Sequence, residues 1–357
     1  MASADAEGFV GLGDAYMALG KDRAALAAYD RALRLDPRHA RAHYHESLTL
    51  LAQGSFLRGW QGFGWRWRAE PPRRSLGETG LPPWQGRAAR NARLLLQDEG
   101  VAVEDIVFSQ CLGDLLALGP EVTFRGDAGL AALLRRAFPG IALLEEGAAL
   151  PPVDAAITLG SLPGFFRRKK PEFRRPAGHL VADLRATTAW RTRYRGRGPG
   201  RAILGIAATG EILWPARRGA VLPHAMIAAL AALPGLCLVG LEPQEIEDAP
   251  ESGADPAIGH WPDPADDLDA LASRIAATDL VVAMPGRSAA LAAALGKPVF
   301  LVAPQPAGWL WGLRGASVPW FPNLSALRLR PEGDAEKDAT RLAAAVAAHL
   351  AGSSAGT

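Results

Sequence analysis

Residues 279–298 read DLVVAMPGRSAALAAALGKP, and this stretch decides the fold class. The apolar residues at 280–283 predict a buried strand, and Pro285 and Gly286 predict a tight turn. The small residues that follow predict a helix, and a further apolar run begins after Pro298. A strand, a turn, a helix and a second strand make one βαβ unit of a parallel sheet.

The same alternation of apolar runs and helical patterns extends over two halves of the chain. The predicted strands are 92–97, 121–124, 141–144 and 155–158 in the first half, and 202–207, 236–241, 280–283 and 298–302 in the second. Two such halves predict two parallel sheets of an α/β protein. We expect a cleft between the carboxyl ends of their strands, where ligands of such folds bind.

The charge is balanced overall but uneven along the chain. Among 357 residues, 39 are Lys or Arg and 37 are Asp or Glu, which argues against a polycation built for nucleic acid or an anionic membrane. Residues 167–201 nevertheless hold twelve basic and two acidic side chains. This tract predicts a solvated linker, or a surface that steers an anionic ligand such as a sugar nucleotide into the cleft. It carries no nucleic-acid recognition motif.

The two cysteines, Cys111 and Cys237, lie far apart without metal-site spacing. They predict neither a disulfide framework nor a zinc site, and they favour a reducing compartment. No apolar run approaches the length of a membrane-spanning helix, and the first residues carry acids where a signal peptide needs basic ones. We therefore expect a cytoplasmic protein without a transmembrane segment.

Residues 6–39 place small and large apolar side chains at the offsets of a two-helix unit. Gly13 and Ala25 allow two helices to approach closely, and Tyr29 fills the seam between them. The series resembles a tetratricopeptide repeat. Residues 40–73 repeat it weakly, with Gly59 and Arg66 in place of the expected small residues. Two units are too few to bury their apolar faces alone, so we expect them to dock on the α/β halves.

Tryptophans are concentrated in two places. The segment 59–68 reads GWQGFGWRWR and predicts the docking edge, with peptide or substrate binding as the alternative. Trp309, Trp311 and Trp320 predict an interdomain core, with stacking on a base or sugar as the alternative.

An ordered set of landmarks runs through the chain. They are the helical hairpin, the GW…F…WRWR segment, PWQG at 83–86, LLLQDEG at 94–100, Leu162-Pro163, ALGKP at 294–298, WLW at 309–311 and PWFP at 319–322. This order resembles bacterial proteins in which tetratricopeptide repeats precede a glycosyltransferase domain related to the lipopolysaccharide heptosyltransferases. The resemblance covers residues 6–333.

The resemblance implies a GT-B fold, with two Rossmann-like domains facing a cleft. The expected domains are helical repeats at 1–72, an acceptor domain with the basic linker at 73–196, and a donor domain at 197–357. It further implies transfer of a sugar from a nucleotide-sugar substrate, without a metal or another cofactor. The acceptor would be a protein or glycan recruited partly by the repeats, and nucleic acid is not an expected partner.

The chain departs from that family at three sites. An Asp-Thr-x-x-x-His run is replaced by PGRSAA at 285–290, and Trp-Ala-Gly-Asn becomes ATGE at 208–211. The Gly-Leu-Gly-Asp turn, whose aspartate looks like the general base, becomes GVAVED at 100–105 with one residue inserted. These changes motivate an alternative function, a non-catalytic relative that acts as a binding or scaffold module.

Two groups of candidate site residues follow from the chemistry of sugar transfer. Glu104 or Asp105 would be the general base, although acids at a helix start also serve the helix itself. The departing diphosphate would be stabilised by N–H groups at a helix start, a hydroxyl and positive charge. The predicted donor-binding residues are Gly210, Arg217, Arg218, Gly286, Arg287 and Ser288.

Overall fold

The computed structural model describes residues 2–70, 73–86, 91–173, 177–196, 201–212, 214–215, 218–242, 258–259, 267–330 and 333–354. The helices of this part are α1 (Ala2–Ala18), α2 (Asp22–Leu35), α3 (Ala40–Ala52), α4 (Phe56–Phe63), α5 (Arg66–Ala69), α6 (Ala102–Phe108), α7 (Leu112–Leu116), α8 (Ala128–Ala137), α9 (Pro163–Phe166), α10 (Leu184–Arg195), α11 (His224–Ala231), α12 (Leu268–Ala276), α13 (Arg287–Ala294) and α14 (Ala335–Ser354). The strands are β1 (Arg93–Gln97), β2 (Glu121–Arg125), β3 (Ala142–Leu143), β4 (Ala155–Thr158), β5 (Ala202–Ala207), β6 (Thr209–Ile212), β7 (Arg218–Val221), β8 (Leu236–Gly240), β9 (Ile258–Gly259), β10 (Leu280–Ala283), β11 (Val299–Pro304), β12 (Ser317–Val318) and β13 (Phe321–Leu329).

The amino-terminal helices pair as the repeat pattern predicts, α1 against α2 and α3 against α4. A methyl group on Gly13 would overlap the ring of Tyr29, so the first pair approaches more closely than alanine allows. Gly59 has the same role in the second pair, since a Cβ there would lie 2.6 Å from the Leu51 side chain. The departure of Gly59 from the repeat pattern is therefore a packing requirement.

The first α/β half forms a parallel sheet with the strand order β3-β2-β1-β4. In the described ranges, the second half forms a seven-stranded sheet in the order β12-β13-β11-β10-β5-β8-β9, and β12 is its one antiparallel strand. Counted within this half, β9-β8-β5-β10-β11-β13 is the 3-2-1-4-5-6 order of the Rossmann fold. A two-stranded sheet, β6 with β7, stands apart. The predicted pair of Rossmann-like sheets behind helical repeats is confirmed.

The two α/β halves contact each other directly through their helices. Helix α6 packs against α13, and α8 packs against α12, where Arg136 forms an ion pair with Asp269. The Gln110 side chain crosses the same boundary and donates a hydrogen bond of 2.9 Å to the carbonyl of Trp320. These contacts fix how the carboxyl edges of the two sheets lie toward each other.

The tryptophan-rich segment joins the repeats to both halves. The Trp60 ring meets Trp309 and Trp320 edge to face, with centroids 6.2 Å apart in each pair. Its indole nitrogen donates to the Arg167 carbonyl at 2.8 Å. Trp311 is also buried, with 1% of its surface exposed. The predicted docking edge is confirmed at Trp60, and the predicted core is confirmed at Trp309, Trp311 and Trp320. Trp65 instead stacks on His43 within the repeats.

The basic tract is not a simple solvated linker. Arg167 is fully buried and donates to Asp114 at 2.9 Å, and Arg191 on α10 donates to Asp279 at 2.6 Å. Helix α10 packs on α12 of the second half. The expectation of a solvated connector is therefore wrong for these two residues, because each neutralises an acid at a packing contact.

Candidate functional site

The second sheet reverses its strand order between β5 and β10, which is where ligands of Rossmann-type sheets bind. Strand β5 continues into the β6–β7 hairpin, and β10 continues through Met284, Pro285 and Gly286 into α13. The backbone N–H of Glu211 donates to the Pro285 carbonyl at 2.8 Å. The hairpin thus lies directly on the turn that precedes α13.

Gly210 makes this contact possible. A Cβ at Gly210 would collide with the Pro285 carbonyl oxygen and would lie 2.6 Å from the Cβ of Met284. Gly286 faces the same point, since its own Cβ would lie 3.5 Å from the Gly210 Cα. The hairpin and the turn before α13 are therefore in direct contact at two glycines.

The structure brings four of the six predicted donor-binding residues together. Gly210 and Gly286 meet at the turn, and Arg287 and Ser288 form the first turn of α13. Arg217 lies outside the described residues. The backbone of Arg218 pairs with Ile212 in the hairpin, but its side chain is likewise outside the described part. These assignments remain predictions about binding.

Glu242 also lies at the predicted donor site, although the sequence analysis did not single it out. It follows β8 by two residues and accepts a hydrogen bond of 2.5 Å from the Ser288 hydroxyl. Thr209 donates to its second oxygen at 3.2 Å, and the Nε of Arg287 lies 3.5 Å away. An acid at the end of the second Rossmann strand is the residue type that binds ribose hydroxyls. That position was the signal by which Glu242 could have been found.

The amino terminus of α13 is suited to an anion. Its first N–H groups have no acceptor within the helix, and the helix dipole makes this end positive. Arg287 adds a charge that is 39% exposed, and Ser288, which is 3% exposed, adds a hydroxyl. In the structure the Glu242 carboxylate is the anion at this end.

Asp105, one of the two predicted bases, is 2% exposed at the carboxyl edge of the first sheet. Its carboxylate accepts hydrogen bonds of 3.0 Å from the backbone N–H groups of Glu99 and Val101. Burial raises the pKa of Asp105 well above its ordinary value. In this conformation the side chain closes the loop between β1 and α6.

Glu104, the other predicted base, is equally buried and faces Arg73. Arg73 donates to Glu104 at 2.7 Å and to Glu99 at 3.2 Å, and its other nitrogen donates to the Tyr44 hydroxyl at 3.1 Å. Tyr44 belongs to α3. The linker after the repeats therefore covers the predicted base with a guanidinium group.

Arg66 is a second arginine that contacts Glu99, beside Arg73. It is 2% exposed and pairs with Glu99 through two parallel hydrogen bonds, at 2.7 and 2.9 Å. Burial alone would raise the pKa of Glu99, but the charge and hydrogen bonds of Arg66 hold it below its ordinary value. The unexpected arginine in the second repeat is thus the partner of a buried acid on the first sheet.

The hairpin at the switch point also reaches the first repeat. The indole nitrogen of Trp214, between β6 and β7, lies 3.3 Å from an Asp14 carboxylate oxygen. The same oxygen accepts from the Tyr29 hydroxyl at 2.8 Å and lies 2.7 Å from Nδ1 of His45. The repeats and the predicted donor site are therefore joined by one short element.

None of the helices in the described ranges combines the length and apolarity that crossing a bilayer requires.

Comparison with known sequences identifies the amino-terminal repeats. Residues 13–54 match the family described as TPR repeat. Protein FlbA of Caulobacter vibrioides is 25% identical over 358 residues, which cover 92% of this chain and 59% of FlbA. Superkiller protein 3 of Saccharomyces cerevisiae is 40% identical over 53 residues, or 15% of this chain and 4% of that protein. The chain thus spans about three fifths of the length of FlbA.

Solved glycosyltransferase structures are distantly similar. The glycosyl transferase family 9 protein of Veillonella parvula aligns with a TM-score of 0.45 and 13% identity, over 68% of this chain and 87% of that one. The ADP-heptose lipopolysaccharide heptosyltransferase II of E. coli aligns with a TM-score of 0.43 and 14% identity, over 70% and 98%. Residues 13–54 of this chain thus match the tetratricopeptide-repeat family, and they precede two Rossmann-type parallel sheets.

Proposed function

We propose that the protein is a glycosyltransferase that moves a sugar from a nucleotide-sugar donor to a protein or glycan acceptor. The observation that carries this proposal is the meeting of Gly210, Gly286, Arg287 and Ser288 at the switch point of a 3-2-1-4-5-6 sheet. Two free, buried cysteines suit a reducing compartment, and we place the reaction in the cytoplasm.

The donor would bind across three neighbouring strands of the second sheet. Its diphosphate would take hydrogen bonds from the first N–H groups of α13 and from Ser288, with Arg287 balancing its charge. The ribose hydroxyls would donate to Glu242, which in the free protein accepts from Ser288 and Thr209. Gly210 would position this helix end for the donor, because it lets the hairpin pack on the turn before α13 without a clash with Pro285 or Met284.

The transfer needs a base at the carboxyl edge of the first sheet. The base takes the proton of an acceptor hydroxyl while that oxygen bonds to the anomeric carbon, and the bond from this carbon to the phosphate breaks. Glu104 and Asp105 remain the candidates. Asp105 is engaged by two backbone N–H groups, whereas Glu104 is covered by the Arg73 side chain. A catalytic Glu104 therefore requires Arg73 to move when the acceptor binds.

The proposal is tested with purified full-length protein and a panel of nucleotide sugars covering adenine, guanine, uracil, cytosine and thymine bases. We expect at least one to raise the melting temperature and to be hydrolysed or transferred. Glu104→Gln and Asp105→Asn are then compared at equal folded concentration. Loss of turnover with retained nucleotide binding assigns the base, while a panel without any thermal shift or turnover rejects catalysis.

A second function, a non-catalytic scaffold, is favoured by the internal pairing of the same groups. Glu104 is paired with Arg73, and Glu242 already accepts from Ser288. A scaffold of this kind would bind its partner equally well with or without nucleotide sugar. It would also keep that binding after Glu104→Gln or Arg287→Ala, which separates it from an enzyme.

A further inference from the structure

A groove of about 1310 Å³ lies where the repeats meet the second α/β half. Its walls come from the turn between α1 and α2, the turn between α3 and α4, residues 170–173, and residues 309–322. We call it the junction groove. It is separate from the switch point, whose residues do not line it.

The rim of the junction groove is cationic. Its charged lining residues are Lys21, Asp22, Arg23, Lys170 and Arg314. The acid, Asp22, is engaged by Arg314 at 3.1 Å and by Gln53 at 2.9 Å. Lys21, Arg23 and Lys170 are exposed, and they form no ion pair with any residue in the described part of the chain. The groove therefore presents surplus positive charge to solvent.

The floor of the groove is apolar. Leu51, Phe56 and Leu310 form its base and are buried, whereas Leu26 and Leu313 are partly exposed, with proline side chains at the edge. The partly exposed apolar side chains gain free energy when the side chains of a partner cover them, while the cationic rim selects the charge of that partner. The combination calls for acidic groups that alternate with apolar anchors.

The size of the groove favours an extended chain over a small molecule. Pockets for small ligands typically measure about 300–1,000 Å³, below the volume found here. The aromatic rings at the groove are buried, with 8% of Trp60, 4% of Trp309 and 3% of Trp320 exposed. They leave little ring surface for stacking of nucleic-acid bases, which is how single strands are commonly held.

We infer that the junction groove binds an acidic polypeptide segment, with its carboxylates on Lys21, Arg23, Lys170 and Arg314 and its apolar side chains on the partly exposed leucines of the floor. This inference rests on the proposed function, and it specifies that the protein partner recruited by the repeats carries an acidic segment. Binding itself needs no sugar transfer, so it is measured without donor, and its failure is distinguishable from failure of catalysis.

The test uses two fluorescently labelled peptides of about twelve residues, long enough to span a groove in extended form. In the first, Glu and Asp alternate with Leu, Phe and Ser, and in the second, Lys replaces every acid. Fluorescence anisotropy is recorded on the full-length protein without nucleotide. We expect the acidic peptide to bind and the basic one to bind at least about tenfold more weakly, with affinity falling as salt rises.

Charge reversal then locates the binding site. Lys170→Glu and Arg23→Glu each change an exposed groove residue that has no ion-pair partner among the described residues, so the fold should survive. We expect either variant to weaken the acidic peptide about tenfold. Lys337→Glu is the matched control, because Lys337 is 81% exposed on α14 outside the groove. It should bind the peptide like the wild type.

Three results would overturn the inference. The first is equal binding of the acidic and basic peptides. The second is wild-type affinity in both groove variants, or the same loss in Lys337→Glu. The third is displacement of the acidic peptide by a single-stranded oligonucleotide that binds more tightly, which would assign the groove to nucleic acid.

Discussion

The indole nitrogen of Trp214 lies 3.3 Å from Oδ1 of Asp14, and this contact joins the hairpin at the switch point to the first helical repeat. The Trp214 ring also packs on His45, with ring centroids 5.0 Å apart. Gly210, at the other end of the hairpin, touches the turn before α13. A movement of the first repeat would therefore shift the hairpin and, with it, the turn before α13 at the predicted donor site.

Trp214→Phe should remove the indole donor while keeping an aromatic ring. Loss of one hydrogen bond to a charged acceptor costs about 1.5–3 kcal/mol of unfolding free energy. Asp14→Asn removes the charge from the same cluster. A double-mutant cycle by urea denaturation should give a coupling energy of at least about 0.5 kcal/mol between the two positions. Strictly additive effects would show that the hairpin and the repeat are not energetically linked.

Gly210→Ala should destabilise the protein and impair the donor site together. The added methyl group meets the Pro285 carbonyl and Met284, so the hairpin must move away from the turn, at a cost of about 1–3 kcal/mol. Gly219→Ala is the matched control on the opposite strand of the hairpin, where a Cβ meets nothing within 4 Å. Thermal melts with and without the best nucleotide sugar should show both losses in the first variant and neither in the second.

Glu242→Gln tests the assignment of this residue to the ribose. If Glu242 accepts from the ribose hydroxyls, removal of its charge should weaken nucleoside diphosphate binding about tenfold, as expected for hydrogen bonds to a charged group. Glu211→Gln, an exposed acid on the neighbouring hairpin strand, serves as the control. Isothermal titration with the diphosphates of the five common bases measures the effect. Tighter binding by Glu242→Gln would contradict the assignment, because it would identify Glu242 as a competitor of the phosphates.

Patterns of apolar residues were sufficient to predict the two sheets and the repeat hairpins, because the spacing of apolar residues can be read from neighbouring positions in the sequence. They could not predict Arg66, which departs from the repeat because its partner, Glu99, is 33 residues away. The β6–β7 hairpin was not predicted from the sequence for a similar reason. Its short strands pair only with each other, and their position depends on contacts with Asp14 and Pro285. Long-range pairs of this kind leave no periodic signal.

Arg66→Met should strongly destabilise the fold. The substitution leaves the Glu99 carboxylate buried without its bidentate partner, and loss of one member of a buried ion pair costs about 3–5 kcal/mol. Arg93→Met breaks an ion pair with Asp154 in which both side chains are 47% exposed, and we expect no measurable change there. Urea denaturation midpoints of the two variants provide the comparison. Equal midpoints would mean that Arg66 and Glu99 contribute no more than a surface pair.

The stability of the protein should depend on pH through His179, which lies at the contact between the two α/β halves. Its backbone N–H donates to the Ala294 carbonyl at 2.7 Å, and its Nε2 lies 2.9 Å from the Ser109 hydroxyl. The residue is half-buried and its Nδ1 is closed off from solvent. Burial lowers the pKa of His179 to about 4, and the charge of Arg167 acts in the same direction.

A depressed histidine pKa makes the folded protein bind fewer protons than the unfolded chain between pH 6.5 and pH 4. His179 therefore destabilises the folded state progressively as the pH falls through this window, by at most about 3 kcal/mol. His179→Gln should lose less stability than the wild type between pH 7 and pH 4.5, because glutamine does not titrate. His224→Gln, at an exposed histidine, should keep the wild-type slope. The measurement is the urea denaturation midpoint of each protein between pH 7 and pH 4.5. Parallel plots of midpoint against pH for wild type and His179→Gln would show that this histidine does not control the loss of stability at low pH.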